Sequence, residues 1–303
     1  MAETLPYVIH RSSVNAWECD ENGHLNVRHF IGKNYQGLTH LFAELGLTPA
    51  ALRDLGGSPR VVSQHIRFHR EAIQGMPITI LGQLVERRNS RLSSYTELRH
   101  SQENTLFTSF NTEVDIVELK TRQPCNFDLN IDISSFDVPQ HGIARSLLHD
   151  DMPVASVGEA LELGYVETGR GTVLAEECDE HGYLEFYQYA AQIADAIPNF
   201  MSTIQSANEF ALRSAGELGG AVIESRADYY NTLECGSRFV ILSGVRSFTA
   251  KTKRLSHLIF DLDNALLIKH SQGIAVALDL NSRRAVPFSE DRLKRMQSQQ
   301  LKG

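Results

Sequence analysis

The sequence predicts an α+β protein of two tandem domains, each a long antiparallel sheet wrapped around one central helix. Three observations lead there. The phrase ECDENGHLNVRHF at residues 18–30 returns as ECDEHGYLEFYQY at residues 177–189. Each copy runs into an apolar stripe of helical spacing, and each stripe is followed by runs of period-two alternation. No helix is interleaved between those runs, which disfavours a parallel doubly wound sheet and favours an antiparallel one.

In the first half, Val27, Phe30, Ile31, Tyr35, Leu38, Leu41, Phe42 and Leu45 recur at steps of three and four, one face of a helix. Gly46 sits where a helix end favours glycine, and Pro49 bars resumption. Gly32 and Gly37 fall inside this helix, where each costs about 1 kcal/mol against alanine, a cost that close approach to a sheet would offset. Alternation at Val62, Gln64, Ile66 and Phe68, then at Ile78, Ile80 and Leu84, then at Phe110, Thr112, Val114 and Ile116 predicts long strands.

In the second half, Phe186, Tyr189, Ala190, Ile193 and Ile197 repeat the helical spacing, with Pro198 as the expected exit. Strands are expected within 227–249, 255–263 and 273–281. Gly75 against Gly236, and RLS at 91–93 against RLS at 254–256, keep the halves in register. The organisation predicted is a domain at 1–130, a linker at 131–160 where DVPQHG and HDDMPVASVG break periodicity, and a domain at 161–303.

A chain of 303 residues is long for one core, and 42% apolar with 22% charged residues is the composition of a folded protein. A formal charge of −8 argues against a nucleic-acid partner, and the basic groups at 88–91 and 251–254 fit either solvated turns, the commoner case, or contacts to a phosphorylated ligand. No signal peptide is evident and no run reaches the roughly 18 apolar residues of a membrane span, so a cytoplasmic protein without a membrane partner is expected. Cysteines at 19, 125, 178 and 235 show no C-x-x-C spacing. They predict reduced thiols, no metal and no cofactor, with Cys19 and Cys178 as small fillers.

Asp20, Asn22, Gly23, His24 and Asn26 spell D-x-N-G-H-x-N ahead of the first helix. With that motif the chain resembles the hotdog-fold thioesterases, specifically the 4-hydroxybenzoyl-CoA thioesterase-like branch and its acyl-ACP thioesterase relatives. The resemblance implies two hotdog domains in tandem, paired as an internal pseudo-dimer. It also implies hydrolysis of an acyl-CoA or acyl carrier protein thioester to free acid and thiol. On that reading Asp20 is the catalytic carboxylate, as general base or as nucleophile, and Asn22 and His24 hold the water or the carbonyl. Gly23, Asn26 and Val27 belong to the substrate site, with first-turn amides as an oxyanion hole. Glu71, in RFHREAIQG, is assigned to positioning the substrate, and Arg67, Arg70, Arg88 and Arg91 are candidate phosphate partners.

An Asp-x-Asn-Gly turn before a helix is equally ordinary turn and cap chemistry. The second copy keeps Asp179 and Gly182 but carries His181, Tyr183 and Glu185 where the first has Asn22, His24 and Asn26. A second site at Asp179 is therefore expected to be degenerate or altered. Two other functions fit the fold: a noncatalytic acyl-thioester binding module and a hotdog hydratase or dehydratase. The acyl chain is not legible, and association into homo-oligomers is compatible with the family.

Overall fold

Each copy of the repeated phrase lies between a short strand and a long helix, and the strands that follow close a sheet over that helix. In the computed structural model, residues 5, 7–125, 133, 136–148 and 154–302 are described. The chain divides into two units, residues 1–144 and 145–303.

The first unit runs β1 (Tyr7–Ser13), α1 (Val27–Glu44), α2 (Pro49–Asp54), β2 (Gly57–Phe68), β3 (Pro77–Arg88), β4 (Arg91–His100) and β5 (Leu106–Glu118). Its strands pair antiparallel throughout, in the order β1-β3-β4-β5-β2. The predicted stripe is the buried face of α1, with Leu38 and Leu41 fully buried and Phe30, Ile31 and Phe42 nearly so. At Gly37 the helix lies close against β1: a Cβ there would meet Ile9 Cδ1 at 3.0 Å. Gly46 takes φ +89°, the left-handed cap that glycine favours. Pro49 does bar α1 from continuing, but it also opens α2 as a first-turn proline behind the Thr48 cap.

The second unit runs α3 (Val157–Glu162), β6 (Val166–Thr172), α4 (Gln188–Ile204), α5 (Ala207–Ser214), β7 (Leu218–Tyr229), β8 (Arg238–Phe248), β9 (Thr252–Asp261), β10 (Leu266–Asp279), β11 (Arg284–Val286) and α6 (Glu290–Ser298). Its antiparallel order is β6-β8-β9-β10-β7, with β11 against the end of β10.

Pro198 does not end the second helix, as its position suggested; it lies inside α4. Beyond it Phe200, Met201 and Ile204 are 1%, 6% and 0% exposed. Burying those three side chains, at about 1.5–3 kcal/mol each, offsets the roughly 3 kcal/mol that an interior proline costs a helix.

Of the stretch expected to be a linker, residues 131–132, 134–135 and 149–153 lie outside the described residues. Residues 136–144 count with the first unit, as a strap over the sheet face that α1 does not cover. Phe136 stacks on Tyr95 at 5.9 Å, His141 Nε2 meets Glu97 Oε1 at 2.5 Å, and Asn111 Nδ2 donates to Gly142 O at 2.8 Å. Residues 145–147 count with the second unit, where their three amides donate to the Glu224 carboxylate at 2.8–3.2 Å. Among the described residues no helix is long and apolar enough to cross a membrane.

Candidate active site

The turn at Asp20 is built by its own side chain. Asp20 Oδ1 accepts from the amides of Asn22 (2.9 Å) and His24 (3.1 Å), while the Asp20 amide donates to His24 O at 2.7 Å. Gly23, at the tip, has φ +76°, a conformation that side chains resist. The second copy repeats this geometry: Asp179 Oδ1 accepts from His181 (2.8 Å) and Tyr183 (3.0 Å), and Gly182 has φ +82°. Retention of Asp and Gly in both copies thus has a conformational cause. In each turn one carboxylate oxygen is fixed by two N–H donors, and the structure gives Oδ2 of Asp20 no partner among the described residues.

What differs is the polar equipment around the turn. The His24 side chain is 11% exposed, and its Nε2 lies 3.4 Å from Oε1 of Glu71, whose side chain is 36% exposed. A bridge between His24 and Ile73, and a bond from Leu25 N to Ala72 O at 2.8 Å, bring the two together from distant parts of the sequence. In the second unit Tyr183 bridges Glu234, and Leu184 N donates to Leu233 O at 2.9 Å. The matched pair there is Tyr183 and Thr232, so neither the imidazole nor the carboxylate recurs.

The helix start differs too. Asn26 is the N-cap of α1, its side chain accepting from Arg28 N at 3.0 Å. Asn26 N and His29 N are also engaged, with Glu18 O and Asn26 O. This leaves the Val27 amide as the first-turn donor without a partner among the described residues. Glu185 at the Asn26 position is not a helix N-cap, since α4 begins only at Gln188, behind Tyr187, which makes no side-chain cap bond.

Behind the first turn stands a buried ion pair. Glu18 Oε1 is 2.8 Å from Lys33 Nζ, and Glu18 Oε2 accepts from the Asn15 amide at 2.9 Å. Burial works to raise the Glu18 carboxyl, but Lys33 and the Asn15 amide outweigh it and hold it below its ordinary value. In the second unit the matched pair is neutral on one side, Gln192 Nε2 donating to Glu177 Oε1 at 2.8 Å. Lys33→Met should therefore cost about 3–5 kcal/mol by stranding Glu18, and Lys33→Gln clearly less. Denaturant midpoints of the two variants check this.

The other expected residues are mostly committed elsewhere. Arg67 donates to the carbonyls of Gln140, His141 and Ile143, Arg91 grips Asp115 at 2.8 and 3.0 Å, and Arg88 pairs with Glu86 at 2.7 Å. Those three serve the protein rather than a phosphate. His69 bonds Ser109 at 3.1 Å, and burial pulls it to about 4, so it is neutral near pH 7. Cys19 and Cys178 donate to carbonyls at 3.4 and 3.3 Å, and burial raises both thiols, Cys178 to about 11, which makes them poor nucleophiles.

Residues 14–133, which contain the Asp20 turn, α1, Glu71 and all of β2 to β5, match the family described as the Thioesterase-like superfamily. That stretch is similar to thioesterase-like domains. Three solved structures resemble the whole chain. A protein assigned as an oleoyl thioesterase from Lactobacillus plantarum aligns with a TM-score of 0.66 at 14% identity, over 92% of this chain and 96% of its own. An acyl-ACP thioesterase from Bacteroides thetaiotaomicron gives 0.66 at 10% identity, over 88% and 96%. A 12:0-ACP thioesterase from Umbellularia californica gives 0.66 at 11% identity, over 88% and 93%. No curated protein matches the sequence. The likeness across both units establishes a double hotdog fold.

Proposed function

We propose that the chain hydrolyses an acyl-CoA or acyl carrier protein thioester at the Asp20 turn of its first unit. Asp20 Oδ2 takes a proton from the attacking water, its partner oxygen being held still by two amides. The Val27 amide, at the positive end of α1, donates to the carbonyl oxygen as charge develops there. As the carbon–sulfur bond breaks, the proton on Asp20 passes to the departing thiolate, giving free acid and thiol. His24 and Glu71 border the reacting group, with Asn22 and Gly23 shaping the turn and Asn26 fixing the helix end. Arg70 remains the candidate for the phosphates of a CoA thioester.

The observation that carries this reading is the His24–Glu71 pair, present beside the first Asp turn and replaced by Tyr183 and Thr232 beside the second. A turn kept only for its shape needs neither side chain. The site at Asp179 is accordingly proposed to be inactive in hydrolysis.

The test is thiol release, followed with a chromogenic disulfide, from a panel of acyl-CoA and acyl carrier protein esters of varied length and aromaticity. Turnover on at least one class is expected. Binding of those esters without thiol release from any of them would replace this reading with a binding module.

A further inference from the structure

The two units differ at three matched interior positions, and all three changes converge. In the first unit Phe30 of α1 meets Phe68 of β2 edge-on, centroids 5.5 Å apart at 80°. The same contact in the second unit is Tyr189 against Tyr229, 5.6 Å apart at 69°. Thr108 is the register partner of Phe68 on β5, and Lys269 is the register partner of Tyr229 on β10. Two phenyl rings have become phenols and a hydroxyl has become an amine.

Lys269 is 2% exposed, with Nζ 5.0 Å from the centroid of the Tyr229 ring, and Tyr229 is 8% exposed. Among the described residues neither Lys269 Nζ nor the Tyr229 hydroxyl has a hydrogen bond or an ion pair. Burial draws the amine down to about 7. An amine with three donors set beside a phenol in this interior favours a ligand that brings an acceptor to them. Phe186, 5.1 Å from Tyr229, adds an apolar wall, and Tyr189 Oη accepts from Leu233 N at 2.9 Å, next to Thr232 at the altered turn.

A single cation among aromatic rings suits a singly charged head on an apolar tail; a phosphate dianion would want more positive charge. We infer that the α4-facing side of the β7–β10 pair is a binding site for a carboxylic acid, with Lys269 and Tyr229 holding the carboxylate. Phe186 and Tyr189 flank the first carbons of its chain. The choice of acid rests on the proposed function, because an acyl carboxylate is what thioester hydrolysis releases.

The experiment is calorimetric titration of the full chain with sodium decanoate and with decanol, an uncharged probe of the same length. Decanoate is expected to bind at least about tenfold more tightly, a difference of roughly 1.4 kcal/mol. Lys269→Met should abolish that preference, and Tyr229→Phe, which keeps the ring, should weaken decanoate severalfold. Equal affinity of acid and alcohol for the unaltered protein would overturn the inference without recourse to any variant. So would an acid preference that survives Lys269→Met. Thioester turnover with no acid preference removes this site alone, whereas an acid preference that depends on Lys269 without turnover removes the proposed hydrolysis alone.

Discussion

Asp20→Asn should lower thioester turnover by about 10²–10⁴-fold, the range general acid–base groups supply, Glu71→Gln should lower it less, and Asp179→Asn should leave it near that of the unaltered protein. Asparagine keeps the Oδ1 acceptor that the amides of residues 22 and 24, or of 181 and 183, require. Both turns should therefore hold their shape, and the comparison reads chemistry rather than folding. Glutamine at 71 keeps a hydrogen-bonding partner for His24 but removes the charge. Thiol release from the best ester of the panel measures all three, and equal losses at 20 and 179 would contradict the proposed asymmetry.

Glu97→Ala should destabilise the first unit by about 3 kcal/mol, the lower end for breaking a buried ion pair, because Arg99 and His141 still reach water. Glu97 is 4% exposed and accepts from Tyr95 Oη at 2.7 Å, Arg99 Nε at 2.7 Å and His141 Nε2 at 2.5 Å. Burial pushes its carboxyl up, but His141, Tyr95 and Arg99 together hold it below the ordinary glutamate value. A carboxyl lowered in the folded state contributes fully above its unfolded value and loses that contribution as pH falls through the lowered one. Unfolding free energies from denaturant titration should therefore separate the variant from the unaltered protein near pH 7 and converge in acid.

Elements whose burial repeats along the chain were legible in the sequence. The face of α1 and the alternation in β2, β3 and β5 are periodic because one side of each meets a core. The paired phrase located both turns for the same reason, since Asp20 and Asp179 make local hydrogen bonds two and four residues on. Pro198 misled because a local helix breaker was outweighed by the apolar side chains beyond it. The strap at 136–144 was unreadable: a few single contacts, such as His141 to Glu97 and Phe136 to Tyr95, hold it, and they leave no period.

Within the site, the motif placed Asp20, His24 and Asn26 on one turn, but not the use each is put to. Asn26 proves to be a helix cap, and the amide it leaves open is that of Val27. Glu71 entered as a positioning residue on the resemblance alone, because its pairing with His24 comes from the bridge to Ile73. The change from Thr108 to Lys269 carried no sequence signal at all. Only the strand register shows that the two positions match and that an amine has entered an interior.

The strap also decides where the gene divides. A first half expressed alone and stopped at residue 130 would lack Phe136 and His141, leaving the Tyr95 ring and the Glu97 carboxylate open to solvent on a bare sheet face. Stopping after Ala144 carries that cover along and leaves residues 145–147 with Glu224, so each separately produced piece retains its own lining.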